Sequence, residues 1–194
     1  MGVGGKESFA VERSGIFLEK ELSGAIAAGK APQFEVFSFD FHKQRRVCNG
    51  KVVSYFQVTI AALLDKQVIE VIDGQTISRC EKIESAFDGR LGSVDLIERA
   101  LRQILLKRWP QIGWHLKQVR IVGYSAIAID YERGPRVQVT LGVVYRGNQT
   151  PRIVVREGVD TLGVAFDSLV TIYHWVAWRI LRRLRGEKRK GSER

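Results

Sequence analysis

Cysteine is nearly absent from this 194-residue chain: Cys48 and Cys80 are the only two. Their spacing is that of neither a zinc site nor a thioredoxin-type redox pair, so a disulfide framework is not indicated. Histidine is as scarce. His42, His115 and His174 are scattered, none sits at ligand spacing from a cysteine or carboxylate, and no HxH, HExxH or GxSxG occurs. Hydrolysis and group transfer need a base, a nucleophile or a metal in a defined pattern. With no such constellation, the chain is expected to be no enzyme and to carry no metal or cofactor.

A secretory signal and an uncharged apolar span are missing too. The opening MGVGGKESFAVERSG holds no basic segment followed by an apolar core, which makes the cytoplasm the expected compartment. Residues 162–181 are apolar but contain Asp167, His174 and Arg179, groups that are costly in a bilayer, so no membrane partner is expected. Nucleic-acid signatures are lacking as well. Gly89-Arg90-Leu91-Gly92 spells the GxxG of KH domains, but there the loop joins two helices and here a strand to a helix, and no aromatic RNP strand is present.

Positive charge is what the chain has in excess. Its formal charge is +10, of which residues 179–194 supply +6. The rest is only mildly basic, so the composition does not demand a polyanion, and a nucleic-acid partner is not expected. Residues 186–194 are expected to be a disordered basic tail. A basic nucleic-acid or anionic-surface binding module that uses this tail is the alternative to the function reached below. A hydrophobic content of 45% is enough to bury a core in one domain or two small halves.

Residues 1–33, rich in Gly, Ala and charge with one weakly helical piece around 16–28, are expected to be a leader or linker. The pattern then turns to period two. Phe37, Phe39 and Phe41 fall on one strand face and are expected in the core, and after Asn49-Gly50 a second strand alternates Phe56, Val58, Ile60 and Ala62 with polar residues. Residues 67–72 follow, Asp73-Gly74 reads as a turn, and a third run is expected around 82–87. The glycine-rich stretch DGRLGS then opens a helix with Ile97, Ala100, Leu101, Ile104 and Leu105 on one stripe, and with Asp95/Arg99 and Glu98/Arg102 at i,i+4 spacing outside. Trp109-Pro110 stops it.

The order repeats. Val119, Ile121, Ile127 and Ile129, then Val137, Val139, Leu141 and Val143, then Ile153-Val154-Val155 mark three strands, and Gly158-Val159-Asp160 opens a second helix with Leu162, Ala165, Leu169, Tyr173, Val176, Ile180 and Leu184 on one stripe. Trp175 and Trp178 widen its apolar flank beyond what one sheet needs, which predicts a contact with the sister helix or another subunit. Gly89, Gly92 and Gly158 suit tight strand-to-helix junctions, and Ser93 and Asp160 suit N-caps.

In order and spacing these elements, over residues 34–184, resemble the C-terminal regulatory domain of 2-isopropylmalate synthase and its citramalate and homocitrate synthase relatives. Ile83-Glu84-Ser85-Ala86-Phe87-Asp88-Gly89 running into Gly92-Ser93-Val94-Asp95 is similar to that family's A-x-G-x-G-P-V-D-A, with Ser93 in place of proline. Val119 through Tyr124-Ser125, Val137-Gln138-Val139, and Gly158-Val159-Asp160 with Phe166-Asp167-Ser168 continue the match, while residues 67–80 stand as an insertion.

The resemblance implies an α+β fold of two pseudo-two-fold related βββα units, antiparallel sheets packed on helices, with halves of about 34–110 and 111–185. It implies a homodimer that binds a branched-chain amino acid or keto acid near the glycine turns. A helix N-terminus there suits a carboxylate. By position the candidates are Gly89, Gly92, Ser93 and Asp95 in the first half and Gly158 and Asp160 in the second, each also explicable by turn geometry or capping. Tyr131, a further candidate ligand-binding residue, and Arg133 stand in the loop before the middle strand, where they are expected to fill or reshape that pocket. Trp175 and Trp178 are the candidate dimer interface. The family's metal-binding catalytic barrel has no counterpart in 33 leader residues, so a stand-alone regulatory domain is expected, with a separately encoded synthase as a further partner.

Overall fold

The structure is a computed structural model that describes residues 16–48, 51–80, 93–130, 136–145 and 150–191. In chain order its elements are β1 (Ile16–Phe17), α1 (Leu18–Ala27), β2 (Phe34–Cys48), β3 (Lys51–Leu64), β4 (Gln67–Cys80) and α2 (Ser93–Arg108). A 3-10 turn (Pro110–Ile112) and the short α3 (Gly113–Leu116) follow, then β5 (Val119–Asp130), β6 (Arg136–Tyr145), β7 (Arg152–Gly158) and α4 (Thr161–Gly191). They form two compact units, Gln33–Arg108 and the described residues on either side of it. The fold is α+β, and each unit carries three antiparallel strands and a helix packed on them.

In the Gln33–Arg108 unit the sheet order is β2-β3-β4. Alternation puts Val58, Ile60, Ala62 and Leu64 of β3 on the face that α2 covers, and β4 adds Ile69 and Val71. The expected stripe of α2, Ile97, Ala100, Leu101, Ile104 and Leu105, is 0% exposed throughout. Each such Leu or Ile stabilises by roughly 1.5–3 kcal/mol relative to an exposed one. Asp65 (φ 44) and Lys66 (φ 69) make the two-residue turn between β3 and β4, the left-handed pair that matches strand twist in a tight hairpin.

Two expectations are corrected in this unit. Asp73-Gly74 is not a turn: β4 runs through it, with Asp73 paired to Val58 and Gly74 to Gln57. Residues 67–80 are therefore one continuous strand, the third of this sheet, and the run around 82–87 lies outside the described residues. Arg99 pairs with Asp73, to which Gln103 also donates at 3.1 Å, and Glu98 and Arg102 pair, at 2.6 Å. Phe37 is 58% exposed, because the ladder shifts register between Val36 and Ser38 and breaks the alternation, while Phe39 and Phe41 are half-buried.

In the other unit the sheet order is β1-β7-β6-β5, with β1 parallel to β7 and the rest antiparallel. Val139, Leu141 and Val143 of β6 and Ile153 and Val154 of β7 are buried with α4 packed on these strands. The outer strand β5 shifts register between Val122 and Ser125, around Gly123 at φ 66. Beyond that point Ile127 and Ile129 are exposed at 45% and 40%, although alternation predicts them inside.

Residues 16–27 are not a leader. Leu18, Leu22 and Ala25, at i, i+4 and i+7, bury one face of α1, which packs on α4 and β7. Ionic contacts back the packing: Glu19 pairs with Arg156 at 3.0 Å, and Glu21 pairs with Arg179 at 3.3 Å and Arg152 at 3.9 Å. Gly29 (φ 62) ends the helix in a Schellman turn, donating to Ile26 O while Lys30 donates to Ala25 O, each at 2.9 Å. The basic tail is corrected as well. α4 continues to Gly191, and only residues 192–194 of the expected disordered segment lie outside the described residues.

Candidate functional site

At the first glycine turn, Gly89 and Gly92 lie outside the described residues, as do Tyr131 and Arg133 of the loop before β6. Ser93 is the first residue of α2, and Asp95 sits half-buried in its first turn. Asp95 is thus placed where a carboxylate complements the positive end of the helix.

The second turn is described in full. A Cβ on Gly158 would stand 2.5 Å from Val164 Cγ2, so only glycine lets β7 end this close to α4. Asp160 caps α4 with both carboxylate oxygens: Oδ1 accepts from Leu162 N at 3.2 Å and Oδ2 from Gly163 N at 2.7 Å. Its own carbonyl accepts the first intrahelical bond, from Val164 N at 3.0 Å. Two of the N–H groups expected to receive an effector's carboxylate are therefore engaged by the protein's own acid, whose charge repels a second anion. Next to the cap, Val159 is 81% exposed.

Trp175 and Trp178, expected on a flank open to a second subunit, are 3% and 5% exposed. The chain itself covers them. Trp175 Nε1 donates to Glu21 of α1 at 3.2 Å, and Arg179 lies over both rings, 5.7 Å from the Trp175 centroid and 6.0 Å from that of Trp178. The breadth of the α4 apolar face is matched by α1, so the candidate interface is an internal seam.

The histidines do not meet. His42 is exposed, His115 is buried with Nδ1 3.4 Å from the Tyr145 hydroxyl, and His174 Nε2 donates to Pro32 O at 2.8 Å. Burial holds His174 below the ordinary imidazole range and outweighs the bond to Pro32. Among the described residues no three His, Cys, Asp or Glu side chains form a group that could hold a metal ion, and no helix is long and apolar enough to cross a membrane.

Sequence reasoning did not reach Lys30, Arg182 and Arg185, which the fold gathers with Trp178 and Leu181 around an open pocket of about 580 Å3. The spacing 178, 181, 182, 185 was a signal of one helix face; the missing half was α1, whose turn brings Lys30. No protein-family model matches the chain, and no curated protein matches its sequence.

Proposed function

We propose that the chain is a non-catalytic regulatory domain of the kind that 2-isopropylmalate synthase and its citramalate and homocitrate relatives carry, forming a homodimer and answering to a branched-chain amino acid or keto acid or to a separately encoded synthase. The observation that carries this is the repeated order of three antiparallel strands and one helix, each helix burying an apolar stripe on its own sheet. Regulation of this kind needs shape and a few oriented donors and no reacting group. The effector's carboxylate is assigned to the N-terminus of α2, around Ser93, where the helix dipole favours an anion. At the second turn Asp160 has already taken the donors of Leu162 and Gly163.

Light scattering at micromolar concentration, followed by mixing with a barrel-type synthase of this class, tests the proposal. A dimer that associates with the barrel is expected; a monomer that ignores it contradicts the proposal. One observation favours the alternative of a basic binding module: Arg182, Arg183 and Arg185 are exposed on a helix that continues through the tail. Deleting residues 186–194 separates the two. A regulatory domain keeps its ligand, whereas an electrostatic binder loses affinity and shows a steep salt slope beforehand.

A further inference from the structure

The C-terminal part of α4 and the turn that ends α1 face each other across a pocket of about 580 Å3, within the size range of small-molecule sites. Trp178, Leu181, Arg182 and Arg185 recur at i, i+3, i+4 and i+7 and so share one face of α4. Opposite them the Schellman turn at Gly29 delivers Lys30. His174, one helical turn before Trp178, donates to Pro32 O at 2.8 Å and ties the segment after α1 to α4. The walls are therefore held from both sides.

The chemistry of these walls is one-sided. Trp178 and Leu181, 5% and 8% exposed, give a buried apolar floor, and Lys30, Arg182 and Arg185 give an exposed cationic rim. No acidic side chain is among the described residues that line the pocket. Elsewhere in the same unit Arg152 and Arg179 pair with Glu21, and Arg156 pairs with Glu19. Three like charges gathered beside an apolar floor repel one another and focus a positive potential on the space between them. The Arg182 guanidinium carbon lies 5.9 Å from the Trp178 ring centroid, within cation–π range. Trp178 Nε1 is buried without a hydrogen-bond partner among the described groups, which is rare for an indole and leaves a donor over on the floor residue.

We propose that this pocket binds a small organic anion, with one carboxylate or phosphate held by Arg182, Arg185 and Lys30 and a flat apolar body resting on Trp178 and Leu181. Guanidinium forks match carboxylate and phosphate oxygens in pairs, and the apolar floor keeps water from one side of the body. The site goes beyond the effector reading and does not depend on it: its lining comes from the turn that ends α1, the segment after it and α4, and includes no residue of α2, where the effector is proposed.

Isothermal titration of the full chain with phenyl phosphate tests the proposal, with inorganic phosphate and benzyl alcohol as its separate anionic and apolar halves. Phenyl phosphate is expected to bind one to one, roughly tenfold or more tighter than inorganic phosphate because its ring also leaves water, and benzyl alcohol is expected to give no saturable heat. The double variant Arg182→Gln/Arg185→Gln should weaken phenyl phosphate by about tenfold or more through lost charge-assisted bonds. The exposed pair Lys117→Gln/Arg120→Gln removes the same charge elsewhere and should change affinity by less than about twofold at physiological salt. Gly186 lines the pocket and a Cβ there meets no heavy atom within 4 Å. Gly186→Leu therefore keeps the fold while competing with the apolar body, and it should weaken phenyl phosphate but not inorganic phosphate; this arm stands even where the double arginine variant does not fold. Absence of saturable phenyl phosphate binding, equal affinity for inorganic phosphate, or equal loss in the two charge-removing pairs would each overturn the proposal.

Discussion

Leu18→Ala asks whether the first helix is part of the fold or an appendage to it. Leu18 is 0% exposed at the start of α1, packed in the seam with α4 and β7. Truncation forfeits the transfer of the branched end from water and leaves a void that the seam closes only in part. Leu→Ala at such sites costs about 2–5 kcal/mol, and the lower half, about 3 kcal/mol, fits a two-helix seam beside solvent. For a chain of this size that is a fall of roughly 6–12 °C in Tm. The assay is unusually clean, since all four tryptophans (Trp109, Trp114, Trp175 and Trp178) lie in the unit that contains α1 and none in Gln33–Arg108. Urea unfolding followed by tryptophan fluorescence thus reports on the unit in question. Ile26→Ala is the control in the same helix: Ile26 is 51% exposed and its loss should cost about 0.5 kcal/mol or less. If Leu18→Ala falls within about 0.5 kcal/mol of wild type, indistinguishable from the control, α1 contributes nothing to this unit and residues 16–27 are a leader after all.

Three further outcomes follow from the same geometry. Glu21→Ala strands the buried Trp175 Nε1 donor and removes the partner of Arg179 and Arg152, which should cost about 1–3 kcal/mol in the same fluorescence-detected melt. Gly158→Ala should cost about 1–3 kcal/mol because its Cβ would sit 2.5 Å from Val164 Cγ2; adding Val164→Ala should recover part of the loss, and a strictly additive double variant would show that the clash is not the cause. His174 has its pKa lowered from 6.5 by burial. The unfolded chain therefore binds more protons between the folded pKa and 6.5, and stability falls as pH drops through that window and is flat above it. Urea midpoints measured from about pH 7.5 down to about pH 5 should show this slope in wild type and a shallower one in His174→Gln.

Much of the fold could be read from pattern because its core is periodic. Val58, Ile60, Ala62 and Leu64 recur at two, and Ile97, Ala100, Leu101, Ile104 and Leu105 recur at helical spacing, and both sets are buried as their periods require. What could not be read was non-local. Asp73-Gly74 has the composition of a turn, yet Arg99 and Gln103 from α2 engage Asp73 and the partner β3 is long enough to carry the ladder through it. α1 has only three buried positions to announce it, and its acid Glu21 meets Trp175 across 154 residues of chain. The width of the α4 face was legible; what covers it was not. At the candidate site Asp160 was legible as a cap from its place before an apolar helix, whereas the close approach at Gly158 depends on where Val164 lands and leaves no mark in the sequence.

Thermal unfolding with and without leucine, isoleucine, valine and their keto acids tests the central proposal most directly. A ligand present at about a hundred times its Kd adds roughly 2.7 kcal/mol to the stability of the state that binds it. A shift is expected for one branched compound, and it should persist in Arg182→Gln/Arg185→Gln, which separates an effector at the start of α2 from an anion in the pocket beside α4. No shift for any of these compounds at saturating millimolar concentration would contradict a branched-chain regulatory domain.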